Sequence, residues 1–115
     1  MNKVSMEDIM VNLICYGGEA RGLALKAISA AAENNFEEAD NLIKQCDEML
    51  EKTHKFQTEL LHQEALAEEQ SENKVPISLL MVHGQDHLMN AMTVRDLAER
   101  IIYLSRKNEE REKYR

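Results

Sequence analysis

Between Ser5 and Leu104 a helical hydrophobic period is interrupted at only two places, the Asn34-Asn35 pair and the polar run Glu68 to Lys74, and the chain holds a single proline, Pro76. Few folds accept that pattern. Three long segments with apolar residues at alternating steps of three and four, and almost no period-two alternation, require helices packed side by side rather than a sheet. Ser5 with Asp8 three residues on has the form of a capping box, so a first helix starts there and runs to about Asn34. Its stripe is Met10, Leu13, Gly17, Ala20, Ala24, Ala27 and Ala31, mostly small residues that let helix axes approach closely. Gly17 and Gly18 each cost about 1 kcal/mol relative to Ala in mid-helix. They indicate either a close backbone or ligand approach or a mild kink.

Asn35 with Glu38 forms a second cap, opening a helix from Phe36 to around Glu68. Its inward stripe is Ala39, Ile43, Cys46, Leu50, Thr53, Gln57 and Leu60, backed by Leu42, Met49 and Phe56. Thr53 and Gln57 are polar members of that stripe and are candidates to hydrogen-bond the third helix. His54 and His62 fall on the outer side. The polar run to Lys74 reads as a loop, and Pro76 suits the first turn of a third helix, where its missing N–H is not needed. That helix extends through Leu104 and into the charged tail. Short connections between three long helices give an all-α, antiparallel three-helix bundle in up-down-up order. At 115 residues the chain is one domain, 1–115.

The third helix is apolar on two flanks, Leu80, Ala91, Ala98 and Ile101 on one and Leu79, Val82, Met89 and Leu97 on the other, and both are expected to be buried. A bundle of this size covers one stripe per helix. The surplus flank is therefore expected to be covered by another copy of the chain. His83, Asp86, Asn90 and Thr93 lie among these apolar positions, and a buried carboxylate without a partner costs several kcal/mol or is neutralised. Asp86 thus needs a cation, a donor cluster or a water-filled site. Copies of Asp86 brought together on a symmetry axis would need a cation, and an oxygen-only site suits magnesium or a similar ion.

The formal net charge of -7 excludes a phosphate-binding nucleic-acid surface, which needs clustered Lys and Arg. Arg106-Lys107 and the Arg111 to Arg115 tail are interleaved with acids and read as a solvated helix end. No apolar run is long enough for a membrane span and no signal pattern opens the chain, so a cytoplasmic protein without direct membrane insertion is expected. Cys15 and Cys46 lack any Cys-x-x-Cys spacing. Both read as small core residues.

The chemistry concentrates in Val82-His83-Gly84-Gln85-Asp86-His87-Leu88-Met89. His83 and His87 have the i, i+4 spacing that can chelate a metal, but zinc hydrolysis also needs a Glu directly after the first His, and Gly84 stands there. A hydrolase would need a further ligand from another helix, and His54 and His62 are not placed for it. No Gly-x-Ser-x-Gly elbow, phosphate loop or dinucleotide fingerprint is present. An imidazole can instead act as a nucleophile, accepting a phosphoryl group through an exposed lone pair and passing it on through a labile N–P bond. The plain alternative is a satisfied core or interface histidine. Four polar groups within a turn and a half of apolar helix weigh against it.

The run Ser78-Leu79-Leu80-Met81-Val82-His83-Gly84-Gln85-Asp86-His87-Leu88-Met89 resembles the motif of the IIA component of the lactose/cellobiose branch of the sugar phosphotransferase system. The likeness extends to Gly17-Gly18-Glu19-Ala20-Arg21, to Ala32-Glu33-Asn34 with Phe36 and then Ala39 following it, and to His54-x-x-Gln57-Thr58, so it covers nearly the whole chain. The resemblance implies a cytosolic homotrimer of three-helix subunits, a nine-helix bundle. It implies that His83 takes a phosphoryl group from the phosphocarrier protein HPr on Nε2 and passes it to a cysteine of the cognate IIB component. From there the group would reach a sugar entering through the membrane IIC component. It further implies that Asp86 holds a structural Mg2+ or similar ion on the trimer axis, and Gln85 and His87 match the pattern as supporting residues for the phosphoryl oxygens or for His83. Met81, Met89 and Met92 would suit an adaptable docking surface if exposed, or core or trimer packing. Gly84 is similar to the lactose type and Ser78 to Val82 to the cellobiose type, so the β-linked disaccharide is left open. A non-catalytic trimeric adaptor of the same fold is the competing reading, and it has no need of an accessible His83.

Overall fold

The structure, a computed structural model, describes residues 5–69 and 78–114. Three helices account for nearly all of them: α1 (Met6–Ala32), α2 (Phe36–Glu69) and α3 (Leu79–Lys113). Local chemistry sets their ends. The Ser5 side chain accepts the Asp8 N–H at 3.1 Å, with Glu7 and Asp8 in the first turn to complement the helix dipole. At the far end Asn34 takes φ 60°, its N–H bonding Ala31 O and the Asn35 N–H bonding Ala30 O, both at 2.9 Å. This double closure satisfies carbonyls that a helix end leaves orphaned, and Asn tolerates the left-handed residue it needs. Asn35 Oδ1 then accepts the Glu38 N–H at 3.3 Å and opens α2. The Ser78 hydroxyl caps α3 by accepting the Met81 N–H at 3.1 Å. Helix α3 therefore starts at Leu79, later than the proline suggested; Pro76 and the polar segment 70–74 lie outside the described residues.

The bundle is a rod of 68 × 23 × 20 Å, in which α1 packs along both other helices while α2 and α3 touch each other much less. The small stripe explains that central place. Gly17, Ala20, Ala24, Ala27 and Ala31 are all buried, and such narrow side chains admit a neighbour on either side. Apolar clusters follow one another along the rod, with Ile9, Leu13, Leu60 and Leu88 at one end, Ala20, Ala24, Cys46, Ala91 and Ala98 in the middle, and Ala27, Ala31, Ala39, Leu42 and Ile102 at the other. Buried polar atoms are paired: Cys46 Sγ donates to Ala20 O at 3.1 Å, and Thr53 Oγ1 to Met49 O at 2.7 Å. Burial pushes the Cys46 thiol up to about 11, with the Asp47 carboxylate adding to the effect.

Ion pairs tie α3 to α2 where packing is thin. The Arg95 guanidinium donates to both Asp47 oxygens, at 2.6 and 3.0 Å, and also to Glu99. The Asp47 bond, foremost, holds that guanidinium firmly in its charged form. Arg106 donates to Asp40 at 2.9 Å and lies 5.1 Å over the Phe36 ring. None of these pairings was evident from the sequence.

One sequence expectation is corrected, and the two apolar flanks of α3 are told apart. Cys15 is exposed, because it stands two residues from both Leu13 and Gly17, about 200° around the helix from the seam they define. On α3 the buried stripe is Gly84, Leu88, Ala91, Ala98 and Ile102, whereas Leu79, Val82, Met89, Leu97 and Ile101 are exposed within the protomer. One protomer covers only the face that α1 and α2 reach.

Candidate functional site

The candidate site is built on the second turn of α3, where two glycines let that helix sit against α1. A Cβ added to Gly84 would lie 3.2 Å from Leu13 Cβ and 3.3 Å from Met10 O. A Cβ added to Gly17 would lie 3.1 Å from His87 C and 3.2 Å from its O and Cβ. All of these distances are tighter than ordinary contact, so glycine suits Gly17, where the His87 backbone passes, and Gly84, where Leu13 Cβ and Met10 O pass. The close approach inferred for Gly17 is thereby identified as the His87 backbone. Gly18 leaves more room, its added Cβ standing 3.9 Å from His87 Nδ1.

His87, so seated, meets His83 one turn earlier. Their Nε2 atoms are 3.2 Å apart, with ring centroids at 4.5 Å and planes at 89°. A hydrogen bond between two imidazole nitrogens needs one N–H and one lone pair. If His87 supplies Nε2–H, His83 carries its proton on Nδ1 and keeps a lone pair on Nε2. His83 is exposed and His87 half-buried, so His83 is the more accessible imidazole and His87 the better anchored neighbour.

Gln85 turns elsewhere. Standing two residues after His83, it lies about 200° around the helix. Its Oε1 accepts the Gln57 Nε2–H from α2 at 2.9 Å. Of the two polar residues expected to reach α3, Gln57 does so, while Thr53 bonds its own helix at Met49 O. Tyr16 and Phe56, stacked with centroids 5.7 Å apart, brace α1 against α2 nearby; sequence periodicity carried no signal for that pair.

Asp86 is exposed in the protomer, as are Asn90 and Thr93, so no desolvated carboxylate arises within one chain. Among the described residues no three His, Cys, Asp or Glu side chains converge on a possible ion. A lone carboxylate does not hold a divalent cation, and any cation at Asp86 needs oxygens from elsewhere. His54 and His62 are exposed on α2, as expected. Met81 packs against the Ile9, Leu13, Leu60 and Leu88 cluster, while Met89 and Met92 are exposed. Among the described residues no helix is long and apolar enough to cross a membrane.

Comparison with known proteins gives a consistent result. Residues 8–106 match the family model described as PTS system, Lactose/Cellobiose specific IIA subunit. The chain is 47% identical over 102 residues to the lichenan-specific phosphotransferase enzyme IIA component of Bacillus subtilis strain 168, covering 89% of this chain and 88% of that one. It superimposes on the crystal structure of the PTS cellobiose-specific enzyme IIA from Bacillus anthracis with a TM-score of 0.80 and 38% identity, over 93% of this chain and 94% of that one. A further match is the solution structure of the IIA(Chitobiose)-HPr complex of Escherichia coli, with a TM-score of 0.75, 30% identity, and coverage of 93% and 99%.

Proposed function

We propose, from the premise that the chain belongs to the lactose/cellobiose-specific IIA family of the sugar phosphotransferase system, that it is a phosphoryl carrier using His83 Nε2. The observation that carries this reading is an exposed imidazole whose Nε2 lies 3.2 Å from the Nε2 of a second, better buried imidazole. The His83 lone pair attacks the phosphorus held by phospho-HPr; the new N–P bond forms as the donor's N–P bond breaks, its electron pair staying on the donor imidazole. The His83 Nδ1 proton stays in place. His87 Nε2–H, no longer bonded to a free lone pair, turns to a phosphoryl oxygen. In the second half-reaction a IIB thiolate attacks phosphorus and the electron pair returns to His83 Nε2. Little acid or base machinery is needed, because catalysis is alignment and charge stabilisation. HPr as donor is supported by the chitobiose IIA relative, whose structure is that of a complex with HPr.

The same reading places the chain in a homotrimer. With Asp86 taken as zero, Leu79, Leu97, Thr93, Val82, Asn90, Met89, His83 and Ile101 all fall within about 60° of it at about 100° per residue. The six apolar members of that sector's core, Leu79, Val82, Met89, Leu97, Ile101 and, at the zero line, Leu104, are 40% to 85% exposed in the protomer. Packing three such faces about an axis buries them and brings three Asp86 carboxylates together. That trio would supply the oxygens one protomer lacks and would hold Mg2+ or a similar hard cation structurally. His83 lies on one edge of the face and Gln85 beyond the other, so in a closed ring the Gln85 edge of one copy faces His83 of the next. Gln85 can then donate to the phosphoryl oxygens across that boundary. The carrier would work in the cytoplasm with HPr, a IIB component and, through IIB, a membrane IIC component, during uptake of a β-linked disaccharide.

The test is phosphorylation by phosphoenolpyruvate, enzyme I and HPr with intact-mass readout of wild type, His83→Ala and His87→Ala. An acid-labile gain of one phosphoryl group, absent in His83→Ala, is expected. No gain in wild type would leave a non-catalytic adaptor, and loss only in His87→Ala would identify the other imidazole as the nucleophile.

A further inference from the structure

Gln57 lies on a different helix from the proposed phosphoryl-bearing histidine, yet its carboxamide is bonded to that of Gln85. The bond is directional: Gln57 Nε2–H donates to Gln85 Oε1 at 2.9 Å, between two half-buried side chains. A primary amide is planar, with its acceptor and donor ends on opposite sides of one carbon. Fixing Oε1 against α2 therefore leaves the Gln85 NH2 as the free end. That end is the one a dianionic phosphoryl group requires, since an amide oxygen presented to phosphoryl oxygens repels them.

We infer that Gln57 is a positioning residue for phosphoryl transfer, which selects the orientation of the Gln85 carboxamide in which its N–H donors, and not its oxygen, are presented to the phosphoryl group. Gln57 itself touches neither His83 nor the phosphorus in this scheme. It acts through Gln85, and the inference rests on the carrier reading given above. Nearby α2 groups give it no other described partner. Thr53 is bonded within its own helix, and Thr58 donates to His54 O at 3.0 Å. A glutamate at position 57 has nearly the same volume but, when ionised, only accepts hydrogen bonds. It therefore turns the Gln85 amide around, so that NH2 points to α2 and the oxygen to the phosphoryl group. Protonating that glutamate restores a donor and the original orientation.

The experiment measures the rate at which the full chain accepts a phosphoryl group from purified phospho-HPr in rapid-quench mixing, for wild type, Gln57→Glu, Gln57→Met and each change in a Gln85→Met background. Helix content by circular dichroism and mass by light scattering are checked against wild type for every variant. Gln57→Glu is expected to be slower than wild type by about tenfold or more near pH 8, roughly the effect of one charge-assisted hydrogen bond lost or inverted. Its deficit, taken as a ratio to wild type at each pH, is expected to shrink as pH falls toward 5. Gln57→Met should show a smaller deficit whose ratio does not change with pH, and neither change should slow the Gln85→Met protein further by more than about twofold, because coupled partners are not additive. A Gln57→Glu rate equal to wild type, a deficit independent of pH, or an equal deficit in the Gln85→Met background overturns the assignment. Wild type that accepts no phosphoryl group, or His83→Ala that still accepts one, overturns the carrier reading instead.

Discussion

Replacing Gly17 with Ala sets two effects of known sign against each other. In the interior of α1 the change favours the helix by about 1 kcal/mol, because Ala has less backbone entropy to lose. Against it, the new Cβ meets three atoms of His87 at 3.1 to 3.2 Å, two of them backbone, which cannot rotate away. To restore ordinary contact α3 must retreat by a few tenths of an ångström along a seam that also holds Gly84 against Leu13. Overpacking of that kind costs about 1–3 kcal/mol. The net expectation is a loss of about 1 kcal/mol, with about 2 at most. Gly22 supplies the control, since a Cβ there meets nothing within 4 Å and only the helix term remains, a gain of about 0.5–1 kcal/mol. Urea unfolding followed by helical ellipticity, at one fixed protomer concentration because the proposed association would contribute to stability, measures both variants. Gly17→Ala should have a lower midpoint than wild type and Gly22→Ala a higher one. Phosphoryl acceptance should fall in the first variant alone, because only there is the histidine-bearing turn of α3 displaced from its seat against α1. If Gly17→Ala is stabilised as much as Gly22→Ala, the close approach of α1 to the histidine-bearing turn is refuted.

Arg95→Met leaves Asp47 and Glu99 without their shared cation, and because the Asp47 side chain is 47% exposed and screened by water, the expected loss is about 1–2 kcal/mol in the same unfolding assay. Cys46 bears on alkaline stability: its folded thiol titrates at about 11, above the ordinary value of 9.0, so between those values the unfolded chain has released a proton that the folded chain keeps. Stability must therefore fall as pH rises through that window, and the fall should be shallower in Cys46→Ala. Leu97→Lys, which places a charge on the exposed apolar face of α3 without touching the protomer core, should lower the mass measured by light scattering toward that of a single chain. Chelation by EDTA should lower the thermal midpoint of wild type and leave Asp86→Asn unchanged, since the neutral side chain removes both the proposed cation site and the carboxylate repulsion that site would offset.

Much of the fold was legible because its signals are local. Ser5, Asn34 and Asn35 act within a few residues of themselves, and the seam of α1, from Met10 to Ala31, is buried as its spacing predicted. The surface positions of His54 and His62 followed from the same 3.6-residue period. Cys15 was misplaced because a small apolar residue carries little information about its side of a helix, and the angle to Leu13 outweighs its composition. Ser78 caps α3 although Pro76 is the more conspicuous signal in the sequence. In the site, the i, i+4 spacing of His83 and His87 was enough to predict that they share a face. The Gln57 to Gln85 bond joins different helices, so no spacing within either helix could reveal it.

The sequence by itself determined that there are three helices, which residues of α1 face their neighbours, and which short run of α3 sets two imidazoles on one face, because helix caps and angular periodicity act over a few residues. Tertiary structure decided which of the two apolar flanks of α3 the protomer covers, that Arg95 finds Asp47, and that Gln85 turns to α2 while His83 and His87 stay together. The physical reason is that about 100° per residue fixes where a side chain points, whereas the crossing of α1, α2 and α3, set by the bulk of residues such as Gly17 and Gly84, fixes what it meets.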